Sequence, residues 1–259
     1  MKYYIVNAFT DKLFAGNPAG ICLVDENLSA EIMQKIAHEN NLSETAFITK
    51  QNRYYDLRWF TPKTEIDLCG HATLGSAFVI TNFVDKNAQE IRFETKSGTL
   101  IVRKMDNLYE LDFPARKAGK SEVTQQMFDA IGEQILEAHI FNDDLILLLE
   151  NEEAVQNVNP NFEAVKSLSN HAVTITAKGN SVDFVSRFFA PNVGVSEDPV
   201  TGSSHTILTP FWAERLQKNK MKSKQLSKRK GSLICENCGD RVKISGEAVL
   251  YLHGEIEIK

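Results

Sequence analysis

Arg58-Trp59-Phe60-Thr61-Pro62 returns as Arg187-Phe188-Phe189-Ala190-Pro191, at a spacing close to half of the 259-residue chain. Both copies read Arg, aromatic, Phe, small, Pro. An acidic stretch follows each, Glu65-Ile66-Asp67 in the first and Ser196-Glu197-Asp198 in the second. Each then enters a glycine-led run of small residues, Gly70-His71-Ala72-Thr73 and Gly202-Ser203-Ser204-His205. A chance pentapeptide match would not bring its downstream context with it, so the chain reads as a duplication of one structural unit.

Outward from these anchors, Tyr3 to Phe9, Ile21 to Val24, Leu42 to Thr49 and Tyr54 to Phe60 have strand patterning, with further strands near Ile91, Leu100 and Leu111. Ser29 is placed to cap a helix with Ile32, Met33, Ile36 and Ala37 on one face, and a second helix is expected from about Gly70 to Val84. The second half offers strands near Ile140, Leu145 to Leu149, Ala172 to Ala177, Val182 to Phe189, Leu233, Val242 and Val249. A short helix is expected at Phe162 to Leu168 and another opening near Gly202, where Pro210 falls inside the apolar run and predicts a kink or an early break. This order implies an α+β fold of two pseudo-symmetric lobes, each a mostly antiparallel sheet wrapped round a central helix, without the strand and helix alternation of a parallel sheet. The lobes are read as residues 1–115 and 116–253, divided near Pro114 to Lys120, with a terminal strand over 254–259 returning to the first.

Composition narrows the function classes. With 42% hydrophobic and 24% charged residues the chain can bury a substantial core and is not a disordered one. A formal charge of -5 argues against a general attraction to nucleic acid or to anionic membrane, leaving small molecules as partners. Met1-Lys2-Tyr3-Tyr4-Ile5-Val6-Asn7 lacks the apolar core of a secretory signal, and Leu145 to Leu149 is too short to span a bilayer, so a cytoplasmic protein is expected.

Four cysteines, Cys22, Cys69, Cys235 and Cys238, are too few and too irregular for a disulfide framework. Cys235-Glu236-Asn237-Cys238 has half the spacing of a zinc site, but no second such pair and no suitably spaced His completes it. The pair reads as incidental to a strand, turn and strand, and no metal is implied. The basic run Lys218, Lys220, Lys222, Lys224, Lys228, Arg229 and Lys230 has little aromatic surface for stacking bases and reads as a solvated helix end and loop.

Two features suggest chemistry. If Leu42 to Ile48 is a strand, Glu44 shares a face with Leu42, Ala46 and Ile48, and a carboxylate in apolar company suits general acid and base work; a surface ion pair is the bland alternative. Gly70-His71 and Gly202-Ser203 each stand where a helix begins, and the amides there can hold a carboxylate, unless Thr201 or Ser203 simply caps its helix. His71 is equally open to donating a hydrogen bond, shuttling a proton or capping.

Phe14-Ala15-Gly16-Asn17-Pro18-Ala19-Gly20, Leu42-Ser43-Glu44-Thr45-Ala46-Phe47, Asp67-Leu68-Cys69-Gly70-His71-Ala72-Thr73 and Glu197-Asp198-Pro199-Val200-Thr201-Gly202-Ser203 together resemble, in order, the signature segments of the phenazine-biosynthesis PhzF-like family. The likeness covers essentially the whole chain. It implies the two-lobed fold shared with diaminopimelate epimerase, a substrate cleft between the lobes, no organic cofactor and a homodimer. It also implies that Glu44 is the proton carrier, that His71 and Asp198 assist it, and that Gly70, His71, Thr201, Gly202 and Ser203 bind substrate. Cys69 stands where diaminopimelate epimerases carry a reactive thiol, but the second thiol position is Thr201 here, so two-thiol racemisation is disfavoured and Cys69 reads as a small buried residue. Family members often have glycine where this chain has Lys230.

Three functions are consistent with these residues: an isomerase moving a proton within a small carboxylate-bearing substrate, an amino-acid racemase or epimerase with Asp198 or Cys69 as second base, and a binding protein that keeps the fold without catalysis.

Overall fold

The two Arg-aromatic-Phe segments lie on equivalent strands of two units with similar orders of elements, the second opening with an extra strand and helix and having two short helices where the first has one. The structure, a computed structural model, describes residues 1–25, 28–168 and 171–258. One unit comprises Met1–Asp112 with Ser245–Lys259, the other Phe113–Ile244.

The first unit runs β1 (Lys2–Ala8), β2 (Asn17–Val24), α1 (Ala30–Asn40), β3 (Glu44–Lys50), β4 (Tyr55–Phe60), β5 (Glu65–Ile66), α2 (Gly70–Val79), β6 (Glu90–Thr95), β7 (Gly98–Met105) and β8 (Leu108–Pro114). The second runs β9 (Gly119–Ser121), α3 (Gln125–Ile131), β10 (Ile135–Phe141), β11 (Asp144–Leu149), α4 (Glu152–Asn157), α5 (Phe162–Lys166), β12 (Ala172–Lys178) and β13 (Phe184–Ala190). It continues with β14 (Val195–Asp198), α6 (Gly202–Leu216), β15 (Lys220–Gln225), β16 (Gly231–Asn237) and β17 (Arg241–Gly246). Then β18 (Ala248–Glu255) pairs antiparallel with β1. The returning strand thus begins six residues before the Gly254 named from the sequence, because the register is fixed from Ala8 opposite Ala248 onward.

Pairing repeats between the units. β1 and β2, β3 and β4, and β6 and β7 are antiparallel in the first, as β10 and β11, β12 and β13, and β15 and β16 are in the second. The α+β assignment with mostly antiparallel sheets holds, but one detail is corrected. Each unit contains two parallel pairs joined through helices: β2 to β3 across α1 and β4 to β6 across α2, then β11 to β12 across α4 and α5 and β13 to β15 across α6. Period-two patterning shows only which face a residue takes, so it cannot distinguish a parallel neighbour from an antiparallel one.

α2 and α6 are the central helices. Eight of the residues of α2 are buried, and Gly75 lets it approach β1 and β2 so closely that a Cβ there would meet Ile21 at 3.4 Å. The expected helix to Val84 changes at Ile80 into a π-helical turn, Ile80–Val84. α6 runs unbroken to Leu216 in spite of Pro210, which corrects the expected break. Proline leaves the carbonyl four residues earlier without its helical donor, and here the Arg116 amide donates to the Thr206 oxygen at 3.1 Å. The basic run is also corrected in part. Lys220–Gln225 is β15, with Met221, Ser223 and Gln225 buried, so alternation along a strand explains Lys220, Lys222 and Lys224, while Lys218 follows the end of α6 and Lys228, Arg229 and Lys230 lie in the turn after the strand. Lys230, where the family resemblance favours glycine, has a left-handed φ of 57°.

Among the described residues no helix is long and apolar enough to cross a membrane.

Candidate functional site

The turn before β2 is shaped by glycine. Gly16 has φ +66°, and a Cβ there would lie 2.3 Å from the Ala8 carbonyl oxygen. No other residue can make that turn without displacing backbone, and the turn delivers Asn17, fully buried, to the first position of β2. β3 begins beside it in parallel register, with Glu44 opposite Ala19. Cys69 is the N-cap residue of α2, and His71 follows in the first turn.

These elements bring four side chains together. His71 Nε2 lies 3.0 Å from Glu44 Oε2, the two side chains being 6% and 14% exposed. The Asn17 amide nitrogen is 3.2 Å from His71 Nδ1, and Cys69 Sγ lies 3.5 Å from Nδ1 and 4.0 Å from Nε2. Burial works to lower the His71 pKa, but the adjacent Cys69 and the Glu44 carboxylate more than offset it and hold the ring well above its ordinary value. The Cys69 thiol is pushed up by burial and by the neighbouring Glu44 charge, with His71 acting in the opposite sense. A neutral ring accepts from the Asn17 amide nitrogen at Nδ1, and its Nε2 faces Glu44 Oε2 at ion-pair distance, although that oxygen accepts no hydrogen bond. An imidazolium donates at both nitrogens, with the Asn17 amide turned over to accept. In both forms Nε2 faces the Glu44 carboxylate.

The second predicted group lies in the other unit. The Thr201 hydroxyl donates to Asp198 Oδ2, and Gln225 clamps both residues. Its Oε1 accepts from the Thr201 amide at 2.9 Å, while its Nε2 donates to the Asp198 carbonyl at 2.7 Å and reaches Thr201 Oγ1 at 3.1 Å. Thr201 is the N-cap of α6 but its side chain does not cap the helix, being turned to Asp198. Cys69 likewise gives α2 no side-chain cap. Both helix starts named from the sequence, Gly70-His71 and Gly202-Ser203, therefore keep first-turn amides that no capping side chain takes. Ser203 uses its carbonyl to accept from Thr206 at 2.6 Å. His205 is fully buried and donates from Nδ1 to the Thr201 carbonyl at 2.7 Å, a structural contact.

Sequence reasoning did not assign three of these residues. Asn17 stood inside a quoted motif with no role attached. Gln225 sat in the basic run, masked by its lysine neighbours. Cys69 was read as a small buried residue and, for a racemase, as a second base; it is buried, and its contact with His71 was not foreseen.

Residues 6–254 match the family described as phenazine biosynthesis-like protein, PhzC-PhzF. An uncharacterised isomerase of Pseudomonas aeruginosa is 45% identical, with 100% of this chain and 99% of that protein covered. A PhzF-family phenazine biosynthesis protein of Enterococcus faecalis superposes with a TM-score of 0.97 at 44% identity, covering 99% of each chain. A PhzC/PhzF protein of Clostridium difficile, described as a putative phenazine biosynthesis protein, gives 0.94 at 51% identity over 100% of both chains.

Proposed function

Because the chain belongs to the phenazine biosynthesis-like PhzC-PhzF family, we propose that it is a cofactor-independent isomerase that moves a proton within a small carboxylate-bearing substrate, with Glu44 as the carrier. The observation that carries this reading is the Glu44 to His71 contact, 3.0 Å between side chains that are almost closed to solvent. A carboxylate packed against an imidazole at this distance and closed in by its surroundings keeps a set direction, which is what a base needs to meet a C–H bond.

Glu44 takes a proton from one carbon of the substrate, the electron pair passes into the adjoining π system, and the same carboxylic acid returns the proton at another carbon. No proton is lost overall. His71 positions Glu44 and supplies positive charge while the substrate is anionic; Asn17 fixes the His71 ring. The uncapped starts of α2 and of α6 each suit an anion, since helix N-terminal amides favour negative charge. Asp198, held by Thr201 and Gln225, assists substrate position. A homodimer in the cytoplasm is the setting we infer.

Solvent-deuterium exchange over a panel of small unsaturated and amino acids tests the reading. Label entering at a carbon distant from the one deprotonated supports isomerisation. Label at a single inverted stereocentre makes the enzyme an epimerase instead, and no exchange with any bound acid reduces the protein to a binder.

A further inference from the structure

Glu44, Cys69 and His71 place a carboxylate oxygen, a sulfur and an imidazole nitrogen all within 4.8 Å of one another. Zinc binds such donors at about 2.0 to 2.3 Å, which requires donor atoms roughly 3 to 4 Å apart. The Nε2 to Oε2 separation of 3.0 Å and the Sγ to Nε2 separation of 4.0 Å are already in that range. Cys69 and His71 are 6% and 5% exposed, so two of the donors are held in packed surroundings. Asn17 stands at Nδ1, where a metal-bound imidazole needs a hydrogen-bond partner on its second nitrogen. One soft, one borderline and one hard donor form the mixed set that zinc accepts and that magnesium or calcium does not.

We propose that these three residues form a Zn²⁺ site that reversibly silences the enzyme. Binding sheds all but one of the waters of the hydrated ion, the three side chains taking three positions of a four-coordinate site and water keeping the fourth. The Cys69 thiol gives its proton to solvent as the zinc–sulfur bond forms, His71 gives up its Nε2 proton and keeps one on Nδ1 toward the Asn17 side-chain oxygen, and no electron changes hands. Zinc then occupies the oxygen with which Glu44 would carry a proton. The inhibitory half of this inference rests on Glu44 being that carrier; the binding half does not. No sequence spacing of the zinc-finger kind announces the site, because Glu44 comes from β3 and the other two donors from the start of α2.

The test uses the full chain, purified with a chelator and then freed of it. Titration with Co²⁺ should give one metal per chain and a thiolate-to-cobalt charge-transfer band, both displaced by equimolar Zn²⁺. Cys69→Ser should abolish the band and weaken zinc at least about tenfold in competition with a chromophoric chelator, while keeping the wild-type far-ultraviolet circular dichroism and melting temperature. Glu44→Gln, which leaves the thiol in place, should keep the band but weaken binding. Cys238→Ser, altering the exposed cysteine of the other candidate pair, should change nothing. A missing band, a band that survives Cys69→Ser, or one lost with Cys238→Ser would overturn the site. Zinc bound at Cys69 with deuterium exchange undiminished would overturn inhibition. Unimpaired turnover in metal-free Glu44→Gln would refute the proposed proton carrier and leave the cobalt result standing, so the two readings fail separately.

Discussion

Glu44 and His71 meet through one oxygen and one nitrogen, at 3.0 Å, although they come from a strand and a helix 27 residues apart in sequence. The surface ion-pair alternative for Glu44 is not what this geometry describes, since neither side chain is more than 14% exposed. Replacing Glu44 by Gln keeps the side chain's size but removes the group that takes and returns a proton. Turnover should fall by about 10²- to 10⁴-fold, while ligand affinity and melting temperature stay near wild type. Steady-state kinetics beside isothermal titration would check it; parallel losses of rate and binding would mean that Glu44 acts by holding substrate.

Asn17 touches His71 and is not itself a proton carrier, so its removal should act through geometry. Asn17→Ala frees the His71 ring to rotate, and kcat should drop by about 10- to 100-fold with KM little altered. Asn17→Asp, which restores an acceptor for Nδ1, should recover part of the loss. An unchanged kcat in the alanine variant would show that packing alone fixes the ring.

The repeated arginine has a structural purpose in both units. Arg58 grips Glu65 through two bonds of 2.8 and 3.0 Å, and Arg187 grips Glu197 through two of 2.7 and 3.1 Å. Arg187 is the more enclosed and also donates to the Val155 and Val158 carbonyls at 3.3 and 2.6 Å. Arg187→Met should therefore cost about 3 to 5 kcal/mol, the range for stranding a buried partner. Arg58→Met should cost about 1 kcal/mol or less, because Arg58 is more exposed and Lys96 still reaches Glu65. Urea unfolding of both variants measures the difference, and equal costs would contradict the assignment.

This pair also shows why so much of the fold was legible. The Arg-aromatic-Phe pattern and the acidic stretch after it are two ends of one ion pair, so they were duplicated together and could be matched without coordinates. Gly70-His71 and Gly202-Ser203 could be read for a similar reason, as each opens the central helix of its unit. Gln225 could not be read. It does its work from a strand whose outward lysines dominate the local composition, and a lone Gln among them gives no sign of facing inward. The contacts of Cys69 were hidden differently, since only the folded chain brings β3 to the head of α2. The break expected at Pro210 is absent because its compensation, the Arg116 amide, comes from a distant part of the chain.

Gln225→Leu keeps the strand and fills similar volume but removes both ends of the amide. The Thr201 N–H, buried and bonded to Gln225 Oε1 at 2.9 Å, would lose its partner. A loss of about 1 to 3 kcal/mol is expected, and Thr201 should no longer hold Asp198 in one orientation. Gln225→Glu separates the effects: it keeps the acceptor for Thr201 N–H and loses the two donors. If Leu and Glu variants unfold at the wild-type urea midpoint, the clamp contributes nothing.

His205 provides a pH test free of any assumption about catalysis. Its ring is fully enclosed, and burial pushes its pKa down from 6.5 to about 4, against a small opposing effect of its bond to the Thr201 carbonyl. In the unfolded chain the same residue takes up a proton near the ordinary value. The folded state therefore binds fewer protons between those two limits, and stability falls as pH falls through them. The contribution is complete above about pH 6.5 and is lost by about pH 4, at roughly 1.4 kcal/mol per unit, or about 3 kcal/mol in all. His205→Gln keeps an N–H donor for Thr201 and does not titrate, so the carboxylates common to both proteins cancel in the comparison. Urea unfolding across this window should show the wild-type advantage over the variant shrinking by about 3 kcal/mol toward the acid end. A difference that stays constant with pH would mean that His205 is protonated in the folded protein or reached by water, and that its burial costs nothing in acid.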